Sequence, residues 1–125
     1  ATTEQRAQAV AWMARLEIDH LRDRPYYDLA KSEQRLALIA RALVKAPELL
    51  ILDEPCQGLD AHHRAIVVHM LDRVVKALAT TMIYVTHQRA TFPKSMTHEL
   101  ALRGGRVVRR GALGEGQGAV GSVKE

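Results

Sequence analysis

Asp53 and Glu54 stand side by side after four consecutive apolar residues, Leu49-Leu50-Ile51-Leu52, and Pro55 closes the run. A short apolar run of this kind suits a strand buried on both faces of a parallel sheet. The two carboxylates then lie at the carboxyl end of that strand, where open α/β sheets hold their ligands. Adjacent carboxylates are costly there unless a cation, a water or a substrate answers them. The chemistry they suit is a magnesium–phosphate site. A second run rich in β-formers, Met82-Ile83-Tyr84-Val85, ends in Thr86-His87 and brings an imidazole to the end of another buried strand.

The elements that must position these residues are legible from periodicity. Thr3 to about Leu21 has helical spacing, with Val10, Met13, Ala14, Leu16 and Leu21 on one side and Trp12 as a packing residue. Pro25 and the Tyr-Tyr-Asp after it read as a break. A second helix is expected from about Ser32, a suitable N-cap, to Ala46, where Pro47 ends it. Leu36, Ile39, Ala40 and Leu43 form its apolar stripe, and Arg35, Arg41 and Lys45 fall outside it. A third helix, about Ala61 to Leu78, buries Val67, Met70, Leu71, Val74 and Leu78, with Asp60 placed to cap it. Strand, helix and strand at this spacing imply a right-handed crossover in a parallel sheet. Further on, Glu99-Leu-Ala-Leu-Arg, Gly104-Gly105 and Arg106-Val-Val-Arg read as a two-residue β-hairpin. The glycine-rich stretch 112–125 reads as a flexible tail.

Composition narrows the function classes. The 125 residues make one domain or part of one, 47% hydrophobic and 26% charged, which marks a globular chain. The net charge of +4, from 18 basic and 14 acidic residues, is mild. Its densest cluster is Arg103, Arg106, Arg109 and Arg110, with no aromatics interleaved. It reads as a solvated hairpin face, and nucleic acid is not an expected partner. A single cysteine, Cys56, allows no intrachain disulfide and points to a reducing compartment. No h-region or membrane-length apolar run is present, so any membrane role comes through a partner. His62, His63 and His69 lack a carboxylate or cysteine at ligand spacing and carry no metal-site reading. Cys56 has no base near it in sequence, so a catalytic thiol is not expected.

Taken in order, the motifs resemble those of the ABC-type ATPase nucleotide-binding domain. Leu29-Ala-Lys-Ser-Glu-Gln-Arg35 resembles the signature motif, and Ile39-Ala-Arg-Ala-Leu43 the helix that follows it. Leu49 to Glu54 resembles a Walker B strand with its catalytic glutamate, Gly58-Leu59-Asp60 a D-loop, and Tyr84-Val85-Thr86-His87 the switch-histidine strand. The order and spacing are those of the family over roughly residues 1–111. The wording of Gln34–Ala46 and of Gln57–Asp60 is most similar to the second cassette of soluble double-cassette ATPases of the molybdenum-transport/photorepair type.

The resemblance implies a fold and a set of roles. The fold would be α/β, a P-loop NTPase-like parallel sheet with flanking helices. Residues 1–46 would be part of a helical subdomain, 47–111 part of the RecA-like core with its hairpin, and 112–125 the tail. The activity implied is ATP hydrolysis in a cassette dimer, with ATP and Mg2+ as cofactors, in the cytoplasm or peripheral to the inner face of the membrane. Asp53 would hold Mg2+ through water. Glu54 would be the general base for in-line attack on the γ-phosphoryl group. His87 would contact the γ-phosphate and the attacking water. Ala30, Lys31, Ser32 and Glu33 would face the nucleotide of the opposite cassette. Asp60 would face that partner while also capping its helix. Membrane transporter subunits are further implied partners.

Two departures from the family pattern stand out. The 125 residues contain no Gly-x-x-x-x-Gly-Lys-Ser/Thr phosphate loop, so the domain is expected to be incomplete and this chain alone inactive. The signature carries Ala30 where the family has serine and Ser32 where it has its second glycine. Ala30 removes a hydroxyl donor, and Ser32 adds a side chain where close backbone approach is wanted. A non-catalytic regulatory or interaction module is therefore the competing reading.

Overall fold

The computed structural model describes residues 1–113 and 123–124. Its elements in chain order are α1 (Thr3–Arg15), α2 (Lys31–Leu43), β1 (Leu49–Asp53), α3 (Ala61–Leu78), β2 (Thr81–Val85), β3 (His98–Arg103), β4 (Arg106–Ala112) and β5 (Val123–Lys124), with single 3-10 turns between.

α1 starts in a capping box. The Thr2 hydroxyl accepts from Gln5 N–H at 3.1 Å, and the Gln5 side chain accepts from Thr2 N–H at 2.9 Å. It stops six residues short of the expected Leu21, because Glu17 turns left-handed at φ 59°. Ile18 N–H then bonds back to Met13 O at 2.9 Å and Glu17 N–H to Ala14 O at 3.0 Å, a Schellman closure. Sequence offered no glycine to mark that stop. Leu16 and Leu21, expected on the helix face, are buried beyond its end instead.

α2 begins one residue before the expected cap. Ala30 is the N-cap, Ser32 sits inside the first turn, and the Glu33 carboxylate accepts from Ala30 N–H at 2.8 Å. An acidic group at that position also answers the positive end of the helix dipole, which is why the start shifts off the serine. Alanine has no oxygen to return the bond, so only half of a capping box exists. The helix ends at Leu43 rather than Ala46, and Ala46 turns left-handed at φ 46°. Leu36, Ile39, Ala40 and Leu43 are all buried, as the stripe requires.

α3 has the expected bounds, with the Asp60 carboxylate accepting from His63 N–H at 2.8 Å as its cap. Val67, Leu71 and Val74 are buried, Met70 is partly so, and Leu78 at the last turn is exposed. α3 joins β1 to β2 as parallel neighbours, with Leu49 opposite Thr81 and Asp53 opposite Val85. Neither strand is buried on both faces. Leu50, Leu52, Met82 and Tyr84 enter the core, while Leu49, Ile51 and Ile83 are 52%, 61% and 46% exposed. The helices cover one side of this two-stranded sheet and leave the other open.

The hairpin forms as expected, with Gly104 and Gly105 at φ 56° and 76°, angles that a two-residue turn needs and that a side chain resists. A register shift falls between Ala101 and Leu102. Glu99, nearly buried, accepts from Arg89 at 2.6 Å and from Arg109 at 2.6 and 2.8 Å, which ties the hairpin to the turn after His87. Arg109 of the basic cluster is thus paired. Most of the expected flexible tail lies outside the described residues. Ala112 belongs to β4, however, and Val123–Lys124 pairs parallel to β3, whose second edge has backbone groups to satisfy. One core cluster joins the helices to the β1–β2 sheet, with Leu16, Leu36, Leu43, Val67, Leu71 and Tyr84 among its most buried members. Each such side chain contributes about 1.5–3 kcal/mol by leaving water.

Candidate functional site

β1 and β2 end in register, so the residues just past them meet. Glu54 leaves β1 with a left-handed backbone, φ 48°, and its N–H donates to Val85 O at 2.8 Å. That turn swings its side chain across to the residues that follow β2. The buried Thr86 hydroxyl donates to Glu54 Oε2 at 3.0 Å and accepts from Gln88 N–H at 3.0 Å. His87 N–H donates to Glu54 Oε1 at 3.1 Å, and His87 Nδ1 bonds the same oxygen. Both carboxylate oxygens are held by the chain itself.

Burial alone would raise the Glu54 pKa. The hydrogen bonds from His87 and Thr86, with the His87 charge, outweigh it and leave the carboxyl below its ordinary value of 4.5. Glu54 is therefore ionised at neutral pH, the state a general base requires.

Asp53 has a different environment. It is exposed, on the same open face of β1 as Leu49 and Ile51, and its carboxylate has no bonding partner among the described residues. One free hard-oxygen ligand fits Mg2+, which takes one or two protein carboxylates and completes its shell with water and phosphate. Cys56 lies behind the pair, its thiol 3.4 Å from the Tyr84 hydroxyl, and burial raises both pKa values.

The signature residues stand apart from this triad but are linked to it. A cleft of about 360 Å³ opens between the start of α2 and the turn after Glu54, lined by Lys31, Ser32, Gln34, Arg35, Gln57 and Gly58. Across it, Arg35 Nη1 donates to Glu54 O at 2.8 Å. Glu33 faces the backbone of Ala30 and is engaged as a cap. Asp60 is held by its own helix, and its bonds from the His63 backbone and ring lower its pKa. A larger cleft, about 480 Å³ along α3, contains none of the site residues expected from sequence.

The structure thus unites Glu54 with His87, sets Asp53 on the adjoining open face, and puts Lys31 and Ser32 on the wall of a cleft, with Ala30 and Glu33 bonded to each other at the helix cap. Sequence reasoning missed Thr86 and Arg35. Thr86 was flagged only by its place before His87, and Arg35 only by lying off the apolar stripe of α2.

Among known proteins, the family model for ABC transporters matches residues 1–57. The chain is 43% identical over 90 residues to the ABC transporter ATP-binding protein ModF of Escherichia coli, covering 71% of the chain and 18% of that protein. It is 33% identical over 115 residues to the molybdenum import ATP-binding protein ModC of Pseudomonas aeruginosa, covering 92% of the chain and 32% of that protein. The chain therefore spans less than a third of either relative. The structure superposes on a dimeric bacterial ABC transporter cassette with TM-score 0.79 and 22% identity, over 90% of the chain and 49% of the cassette. A second match is cbiO1 from Clostridium perfringens, part of the ABC transporter complex cbiONQ, with TM-score 0.66 and 32% identity, over 86% of the chain and 43% of that protein.

Proposed function

We propose, for a chain that belongs to the ABC-type ATPase nucleotide-binding domains and shares their P-loop NTPase fold, that Asp53, Glu54 and His87 form the water-activating half of an ATP-hydrolysing site. The observation that carries this reading is the Glu54–Thr86–His87 cluster at the carboxyl ends of two parallel strands, with Asp53 free beside it. In this reading residues 1–46 belong to the helical part of a cassette and 47–111 to its core.

The ionised Glu54 takes the proton from the attacking water as that water adds in line to the γ-phosphoryl group. The bonds from Thr86 and His87 aim the carboxylate, whose remaining lone pairs accept from that water. With Nδ1 held by Glu54, the other ring nitrogen of His87, Nε2, would hydrogen-bond the γ-phosphate. Asp53 would hold Mg2+, which would supply neutralising charge on the phosphate oxygens when bound. The start of α2, with Lys31 and Ser32, faces the nucleotide of a second cassette, and Asp60 lies toward that partner. The partners are a second ATP-binding cassette and membrane transporter subunits, with the cassette on the cytoplasmic side. The likeness to ModC, a molybdenum import ATP-binding protein, supports molybdate as the cargo class.

The test is Glu54→Gln in the full native polypeptide. Turnover is expected to be abolished with ATP binding intact. Steady-state hydrolysis at the wild-type rate would sink the assignment. The second reading, a non-catalytic module, rests on the altered Ala30 and Ser32 positions, and predicts ATP binding without turnover in the wild type itself.

A further inference from the structure

Glu54 is fixed at three points: its N–H by Val85 O, its carboxylate by Thr86 and His87, and its carbonyl by two donors. One carbonyl donor is local, Gln57 N–H at 3.2 Å, which closes the turn. The other is Arg35 Nη1 at 2.8 Å, from a helix nineteen residues upstream. A guanidinium bond to a half-buried carbonyl is a charge-assisted bond, stronger than the neutral turn bond beside it. Its target belongs to a residue whose φ of 48° is disfavoured without outside support.

Arg35 is itself well placed. It lies in the first turns of α2, off the apolar stripe, and its neighbour Gln34 donates through Nε2 to Tyr26 O at 3.1 Å, which anchors the loop leading into the helix. The start of α2 and the backbone of Glu54 are thereby joined by one directional bond across the 360 Å³ cleft.

We infer that Arg35 is the positioning residue of Glu54: it holds the left-handed turn that aims the carboxylate, and it passes displacements of the α2 N-terminus to that carboxylate. This rests on the assignment of Glu54 as the base. Loss of the bond frees the carbonyl, relaxes φ toward the common helical or extended regions, and withdraws the side chain from Thr86 and His87. A lysine reaches the same carbonyl with one N–H and keeps the charge, but lacks the planar fork.

The experiment compares Arg35→Met, Arg35→Lys and Glu54→Gln in the full native polypeptide. For Arg35→Met, kcat is expected to fall about tenfold or more, while KM for ATP stays within about twofold, because a charged hydrogen bond of this kind is lost only from the aiming of the base. Arg35→Lys should recover part of that loss. NMR at fixed neutral pH gives a readout independent of turnover: the backbone amide signal of His87, whose N–H donates to Glu54 Oε1 at 3.1 Å, should shift in Arg35→Met as that bond loosens. Full turnover in Arg35→Met beside a dead Glu54→Gln would overturn the inference and leave the base assignment standing. Full turnover in both would remove the base assignment, and an unmoved His87 amide signal would then overturn the positioning role as well. Proportional loss of ATP affinity and of folding, equal in the Met and Lys variants, would assign Arg35 to the fold alone and overturn it too.

Discussion

A left-handed backbone at a residue with a side chain costs about 1–2 kcal/mol, and Glu54 adopts one. The cost is offset locally by the bonds its carboxylate accepts from Thr86 and His87. Those bonds make the site sensitive to acid. The folded-state pKa of Glu54 lies below its ordinary 4.5, so its contribution to stability is complete above about that pH and is lost as pH falls through the folded value. The stability gap between wild type and Glu54→Gln should therefore be full at neutral pH and close in the acid range. Thermal unfolding midpoints of both proteins from neutral pH into acid would show it. A gap constant across that range would mean the ionised carboxylate stabilises nothing. At this scale the sequence was informative wherever residue type carried the chemistry: Asp53, Glu54 and His87 are reactive types at strand ends. Thr86 and Arg35 are ordinary types whose importance comes from approaches across 32 and 19 residues, which no local pattern encodes.

Helix interiors were legible and helix ends were not, because apolar spacing is a sum over many residues while an end turns on one or two. The α2 stripe and the span of α3 follow from spacing, yet α1 ends on a left-handed glutamate and α2 starts on an alanine. The alanine cap has a consequence. Its position asks for an oxygen to accept from Glu33 N–H, and Glu33 already supplies the reciprocal bond. Ala30→Ser completes the capping box and should stabilise the protein by about 1 kcal/mol. Ser32→Gly removes a side chain from the first turn at a propensity cost of about 0.5–1 kcal/mol, so the double variant should be near neutral in stability. Turnover separates the roles: the double variant in the full polypeptide is expected to hydrolyse ATP faster, since it restores the hydroxyl donor and the close backbone approach. Denaturant unfolding alongside steady-state rates checks both. An unchanged rate would mean the altered signature is not what limits turnover.

The open face of the β1–β2 sheet is the feature that belongs to the whole molecule. An apolar run was expected to be buried on both sides, and the run is present, but Leu49, Ile51 and Ile83 face solvent because nothing in the described residues covers them. Parallel sheets are ordinarily covered on both faces, and two isolated strands are marginal on their own. Asp53 sits on this same face, so in the proposed cassette whatever covers Leu49 and Ile51 also approaches the Mg2+ ligand. That makes the energetics of one substitution depend on the assembly in which it is measured. In the chain described here, Ile51→Ser should change stability by less than about 0.5 kcal/mol, as for an exposed site. Leu71→Ala, at a fully buried position, should cost about 2–5 kcal/mol in any context. In the full native polypeptide Ile51→Ser should cost about 2 kcal/mol or more, from lost burial and a hydroxyl without a partner. Denaturant midpoints for both substitutions in both proteins give the comparison. An equally small effect of Ile51→Ser in each would mean that the face stays open to water, and the sheet would then have to be stabilised from its helical side alone.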